Sequence, residues 1–327
     1  MGRRAGRALL RRSSAKGPRL TNHTHLERSQ PTEKSTLQVS GKCPVCRLGG
    51  DKIALREGDY IGRLCGCGIT YIDPQPPVGS IDPQVDHHHR VYYEAPAAAR
   101  VAWVKRFKQK GLLLDIGCGD GEFTRAAIGA GFEVEGIEPN PDRVATVKKR
   151  SAIPVEQGLI EESSLPAGRY DASFHVDLLS HFPDPVAALR AIAEKMRDDG
   201  VICFEVGLFS NLPLRWRRLA GRANMPTHLW FFDAPSIEHL LDAAGLKLVA
   251  MRRYKVGVST AVSAALVAMR RERAVAATRA GLPMARGRAS GVYYRFHMWL
   301  RYGLGRWLPI GGPQTAFVAA VRRLPAS

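Results

Sequence analysis

The chain has 327 residues, enough for one large domain or for a catalytic domain with a small appendage. An apolar fraction of 45% beside 24% charged residues excludes a chain without a core, and no run reaches the roughly 18 to 20 apolar residues that cross a bilayer. The formal charge of +18 points toward polyanions, whether nucleic acid, anionic lipid or a phosphorylated glycan.

Residues 1–40 begin MGRRAGRALLRRSSAKGPRL, which is Arg-rich, free of acids and without the long apolar stretch of a secretory signal. They read as a basic, disordered tail, and the same composition also suits an organelle transit peptide. Residues 41–80 form a module rich in Cys, Gly and Pro. Here CPVC and CGC place Cys43, Cys46, Cys65 and Cys67 in a C-x2-C-x18-C-x-C pattern. Four of six cysteines in so short a window suggest a metal site in a reducing compartment, and so a cytoplasmic protein, not disulfides. Tight turns at each pair can aim four thiolates at one tetrahedral zinc ion, and a closed site of that kind is structural. The second pair is one residue tighter than the usual C-x2-C.

Residues 81–255 carry the larger domain. DHHHRVYYEAPAAARVAWVKRFKQKG reads as a helix, with Val101, Val104 and Phe107 at three-residue spacing. His87, His88 and His89 are consecutive and cannot all face one ion, so they read as exposed surface. Tyr92 and Tyr93 either cover a ligand or pack on the sheet. Strands and helices then alternate: strand GLLLDIG, helix GEFTRAAIGAG, strand FEVEGIEP, helix PDRVATVKKR, strand IPVEQG, strand YDASFHVDLL, helix DPVAALRAIAEKMRDDG, strand GVICFEVG, helix APSIEHLLDAAG and strand LKLVAMRRY. This order predicts an α/β fold, a Rossmann-like doubly wound sheet with helices on both faces. Cys118 and Cys203 fall at strand ends and read as buried small hydrophobes.

In DIGCGDG, Gly117, Gly119 and Gly121 stand at every second position beyond a strand end, where open α/β sheets bind ligands. Lacking Cβ atoms, they let the backbone turn sharply and approach a ligand closely. Glu138 closes the next strand, 19 residues after Gly119, where a carboxylate can take both ribose hydroxyls.

The ordered set DIGCGDG, GIEPN and RYDASF resembles the class I S-adenosylmethionine-dependent methyltransferases over about residues 97–254, with TAFVAAVRR as the returning last strand. The resemblance implies that Asp115, Gly117, Cys118, Gly119, Asp120 and Gly121 line the methionine and ribose portion of the cofactor. It implies that Glu138 with Pro139 holds the ribose, and that Gly158, Leu159 and Ile160 border the adenine, with Val176 closing the site at the fourth strand. Leu159 stands where relatives often carry an acid. The cysteine module and its continuation CGITYIDPQP resemble zinc ribbons that precede a subset of bacterial methyltransferases.

His181 in DLLSHFPDP follows the fourth strand, where this fold presents groups to the methyl acceptor; packing or capping near Asp184 is the competing reading. His228 in THLWFFDAPS follows a basic stretch around 208–230 that is placed like a lid. Both histidines are candidates for the catalytic base, which is required only if the nucleophile must lose a proton. Residues 256–314 form a basic amphipathic insert, with SGVYYRFHMWLRYGLGRWLPIGG alternating aromatics and arginines; residues 315–327 hold the last strand and C-terminus. The insert suits either peripheral contact with an anionic membrane surface or a helix packed at the sheet edge with its arginines in water. These features predict methyl transfer to a small-molecule or glycan acceptor, lipid-linked if the insert meets a membrane. The alternatives are an RNA methyltransferase using ribbon and basic surface, and a non-enzymatic zinc adaptor. The absence of an Asn-Pro-Pro-aromatic signature after the fourth strand weighs against methylation of exocyclic base amines.

Overall fold

The structure is a computed structural model that describes residues 43, 45–46, 48–50, 52–76, 90–209, 223, 225–255, 296, 298–307 and 313–323. The expectations for the tail, His87 to His89, most of the 208–230 stretch and residues 256–295 lie outside the described residues, as do those for the side chains of Tyr92 and Tyr93.

Two sheets organise what is described. A small antiparallel sheet joins β1 (Lys52–Glu57), β2 (Tyr60–Leu64), β3 (Thr70–Ile72) and, from far downstream, β9 (Trp230–Phe231). The large sheet has seven strands in the order β10-β11-β8-β7-β4-β5-β6. These are β4 (Gly111–Ile116), β5 (Phe132–Glu138), β6 (Val155–Gln157), β7 (Tyr170–Val176), β8 (Met196–Gly207), β10 (Leu246–Lys255) and β11 (Pro313–Arg322). The pairs β4–β5, β4–β7, β5–β6 and β7–β8 are parallel; β11 runs antiparallel to both neighbours. The chain order reverses between β4 and β7, and an open α/β sheet forms its ligand crevice at the carboxyl ends of such strands.

The helices are α1 (Arg90–Val104), α2 (Glu122–Gly129), α3 (Pro141–Ser151), α4 (Pro185–Lys195) and α5 (Ala234–Ala243). Local chemistry starts three of them. Asn140, Asp184 and Asp233 each cap the N-terminus, accepting backbone N–H bonds that the first turn would leave unmet, and a proline follows each cap. On one face of the sheet, Val101, Trp103 and Val104 of α1 and Phe123 and Ala127 of α2 bury against Leu113, Phe174, Cys203 and Phe317. On the other, Leu189 and Ile192 of α4 and Leu240 and Leu241 of α5 bury against Leu114, Ile202, Phe204 and Val318. Ile69, Tyr71 and Ile72 of the cysteine module belong to this second core, so module and domain share one interior.

Two elements differ from the sequence pattern. The helix expected over DPVAALRAIAEKMRDDG stops at Lys195, and β8 begins at Met196. Backbone N–H groups of Gly168 and Arg169 donate to the carbonyls of Glu194 and Lys195, ending the helix from outside. The strand expected through YDASFHVDLL ends at Val176, because Asp177 takes the left-handed conformation with φ of 53°.

Candidate functional site

The glycine turn leaves β4 at its carboxyl end. Gly117, Gly119 and Gly121 all have positive φ, at 63°, 56° and 82°, which side chains with a Cβ rarely adopt. A Cβ on Gly117 would stand 2.7 Å from Leu178, whereas one on Gly119 would meet nothing nearer than the Arg143 guanidinium at 3.8 Å. The turn is therefore crowded on the protein side at Gly117 and open at Gly119. Glu138 is buried at the end of β5, one carboxylate oxygen accepting from Gly119 N–H (2.9 Å) and the other from Asn140 N–H (3.1 Å). Those two bonds fix the carboxylate beside the open glycine. Asp115 is buried under the turn and accepts from the Thr124 hydroxyl at 2.5 Å. Burial, opposed in part by that bond, pushes its carboxyl up to about 7.

Gly158 N–H donates to the Glu138 carbonyl, which brings the β6 end alongside; Leu159 there is exposed and Ile160 buried. Asp120 and Pro139 are exposed, Cys118 is buried and Val176 is half-buried at the end of β7. A bent, open glycine turn with a fixed carboxylate suits an S-adenosyl nucleoside: the turn admits close backbone approach, and the carboxylate retains acceptor capacity for hydroxyls. Arg143 is a residue the sequence did not single out. Its guanidinium stands over Gly119, and its Nε is buried without a hydrogen-bond partner.

His181 and His228, 47 positions apart in the chain, come together beyond β7. Their rings lie 4.6 Å apart between centroids, inclined at 45°. His181 Nδ1 contacts the Thr227 carbonyl at 2.9 Å, and His228 Nδ1 contacts the Ala223 carbonyl at 2.9 Å. A carbonyl only accepts, so each Nδ1 carries a hydrogen and each Nε2 is left for another partner. Asp177 joins them, with one carboxylate oxygen 3.9 Å from His228 Nε2. Its other oxygen accepts from the Ser180 hydroxyl (3.3 Å) and Gly207 N–H (3.4 Å). The surrounding protein and the adjacent His228 ring hold His181 below the usual imidazole range, favouring a neutral ring. Asp177 escaped the sequence reading because it was counted as strand.

The two histidines also meet the cysteine module. β9 pairs with β3, Thr70 opposite Phe231 and Tyr71 opposite Trp230. Ile72 N–H donates to the Leu229 carbonyl, and Leu229 N–H donates to the Ser180 carbonyl, one residue before His181. Trp230 Nε1–H donates to the Phe182 carbonyl at 2.7 Å. The module is thus stitched directly to the segment that carries His228, and through Leu229 and Trp230 to the one that carries His181.

Cys43, Cys46, Cys65 and Cys67 converge, all four sulfurs lying within 4.8 Å of one another. Sulfurs around a tetrahedral ion with bonds near 2.3 Å stand about 3.8 Å apart, so the donor set fits zinc. The tight second pair is accommodated by Gly68, whose positive φ lets its N–H return to the Cys65 carbonyl at 3.0 Å. A hydrogen bond from Cys67 pulls the Cys43 thiol down to about 5, while burial pushes Cys65 up to about 11. Cys118 and Cys203 are buried away from this cluster. Among the described residues no helix is long and apolar enough to cross a membrane.

Comparison with known proteins bears on the same regions. Residues 86–251 match the model of a methyltransferase domain. Among curated proteins, the ubiquinone biosynthesis O-methyltransferase of Bordetella avium (strain 197N) is 29% identical over 118 residues, 32% of this chain and 47% of that protein. Its namesake from Xanthomonas axonopodis pv. citri (strain 306) is 29% identical over 133 residues, 39% of this chain and 50% of that protein. The chain thus spans about half the length of these relatives. A solved SAM-dependent methyltransferase from Archaeoglobus fulgidus is 18% identical, with 70% of this chain and 94% of that one covered, at a TM-score of 0.47. The large sheet has the order 3-2-1-4-5-7-6 when its strands are counted from β4, and the domain match takes in the glycine turn and Glu138; on the ground of that match the chain belongs to the methyltransferase-domain family, of the class I S-adenosylmethionine-dependent type.

Proposed function

We propose that this protein transfers a methyl group from S-adenosylmethionine to a hydroxyl of a small-molecule or glycan acceptor. The carrying observation is the placement of Asp177, His181 and His228 beyond β7, next to the strand end that borders the glycine turn. The cofactor supplies an electrophilic methyl on a sulfonium. Glu138 and the Gly117–Gly121 turn hold its nucleoside, with Gly158, Leu159 and Ile160 beside the base. Methyl transfer is an in-line displacement, so positioning contributes most of what the protein must do. The histidine Nε2 atoms and the Asp177 carboxylate face the acceptor and ease the loss of its hydroxyl proton. Relatives named as O-methyltransferases support oxygen as the accepting atom. In this reading the four cysteines hold one structural zinc ion that keeps the ribbon folded against β9.

The test is mass-spectrometric screening of hydroxylated metabolites and glycans for a one-methyl gain that depends on the methyl donor. Replacement of His228 by alanine should retain cofactor binding and lose turnover. Equal loss of both would make the histidine structural.

A separate observation supports membrane contact. Phe296, Trp299 and Trp307 are 50%, 55% and 73% exposed, while Met298 and Leu300, between them, are buried. Exposed aromatics on a basic segment suit the headgroup region of an anionic bilayer. Co-sedimentation with vesicles containing anionic lipid, lost in a Phe296→Ala/Trp299→Ala variant, is the expected result. Equal recovery with and without vesicles would contradict it.

A further inference from the structure

We propose that Asp177, His181 and His228 form a divalent-cation site at the acceptor end of the crevice, separate from the four cysteines. This rests on the reading of that cluster as the acceptor position and specifies how it works. One oxygen of Asp177 and one nitrogen from each histidine lie within 4.8 Å of one another. Two imidazoles and one carboxylate, with the remaining directions open, are a recurrent donor set for first-row divalent ions.

The second-tier contacts are those a ligand set needs. A metal-bound histidine donates its other ring N–H to a carbonyl or carboxylate, which fixes tautomer and orientation. Both rings do this, His181 to Thr227 and His228 to Ala223, each at 2.9 Å. The carboxylate is anchored likewise: Ser180 and Gly207 hold Asp177 Oδ1, leaving Oδ2 toward the histidines. Asp177 reaches this position only through a left-handed backbone, a strained conformation of the kind that collects at functional sites. With each Nδ1 committed to a backbone carbonyl, both rings have one nitrogen left to turn toward the carboxylate. A cation satisfies all three.

The ion gives the cluster a definite role. An acceptor hydroxyl bound to it releases its proton to solvent more readily. The oxygen lone pair then forms the C–O bond as the C–S bond of the sulfonium breaks. The products are a methyl ether, the neutral thioether S-adenosylhomocysteine and one proton. An acceptor with two neighbouring oxygens, such as a vicinal diol or a catechol, would fill the open positions best.

The test is titration of the full-length, zinc-replete protein with Mn2+, followed by the electron paramagnetic resonance of the free ion, and with Co2+, followed by visible absorption. The expected result is one saturable equivalent of Mn2+, and a Co2+ spectrum without the sulfur-to-metal band that cysteine ligation would give. Affinity should fall at least about tenfold in His228→Gln and Asp177→Asn, by analogy with the sensitivity of metal sites to lost contacts. Melting temperature and S-adenosylmethionine binding, measured on the same samples, show that the variants are folded. Wild-type protein that binds the cofactor but takes up no Mn2+ or Co2+ at millimolar concentration overturns the cation site and leaves the methyltransferase reading intact. Equal uptake by the variants also overturns it. Cation uptake without cofactor binding would instead defeat the functional reading.

Discussion

Asp115 places a carboxyl under the glycine turn, accepting from the Thr124 hydroxyl, and its folded-state pKa stands at about 7 against an ordinary value of 3.8. The folded state therefore holds a proton that the unfolded chain has already lost between about pH 4 and 7. Across that window stability of the cofactor-free protein falls as pH rises, by roughly 1.4 kcal/mol per pH unit from this group. Below about pH 4 both states are protonated and the contribution is complete. Urea denaturation at a series of pH values should show this slope, and Asp115→Asn should remove it; parallel profiles for the two proteins would count against a buried, protonated Asp115. The glycines were legible in the sequence from their spacing, and Asp115 from the family resemblance that the spacing brought with it. Asp177 and Arg143 were not. A left-handed aspartate looks like any strand residue, and a guanidinium over Gly119 depends on how α3 sits.

Elements brought together by the fold explain other features that local pattern did not carry. β7, β8 and α5 were visible as apolar periodicities, but β9 is a two-residue strand whose partner, β3, lies about 160 positions earlier. HLWFF therefore read as the edge of a lid, and its role as the joint between ribbon and domain emerged only from the pairing. The C-terminal segment shows a second such junction. Glu205 of β8 is buried and takes Arg100 of α1 at 2.7 Å, with the Tyr302 hydroxyl donating to its other oxygen and Arg301 nearby. The arginine-aromatic stretch read as amphipathic thus also supplies interior partners. Removing one member of a buried ion pair leaves the other charge uncompensated, so Glu205→Ala should cost about 3–5 kcal/mol in chemical denaturation. A loss below about 1 kcal/mol would mean that Arg100 finds water or another partner.

At the scale of the whole molecule, the cysteine module is part of the scaffold of the Asp177, His181 and His228 cluster, the proposed acceptor site. The hydrogen bonds Ile72 to Leu229 and Leu229 to Ser180 run from the ribbon to the residue before His181, and β9 starts two residues after His228. The proposed cofactor cradle, in contrast, is built from β4, β5 and α3, and among the described residues no such bond joins it to the ribbon. A Cys46→Ser/Cys67→Ser variant should accordingly lose its zinc and its methyl transfer, yet keep its affinity for S-adenosylmethionine. Simultaneous loss of cofactor binding and turnover would show that the module supports the entire domain, and unchanged turnover would sever it from the acceptor site. The central claim is that a sulfonium nucleoside occupies the Gly117–Gly121 turn with its ribose on Glu138. Isothermal titration calorimetry of the full-length, folded protein tests it most directly: one equivalent of S-adenosylmethionine or S-adenosylhomocysteine should bind, and Glu138→Ala should abolish the signal. Wild-type protein that gives no heat with either ligand, or a Glu138→Ala variant that binds as tightly as wild type, would contradict it.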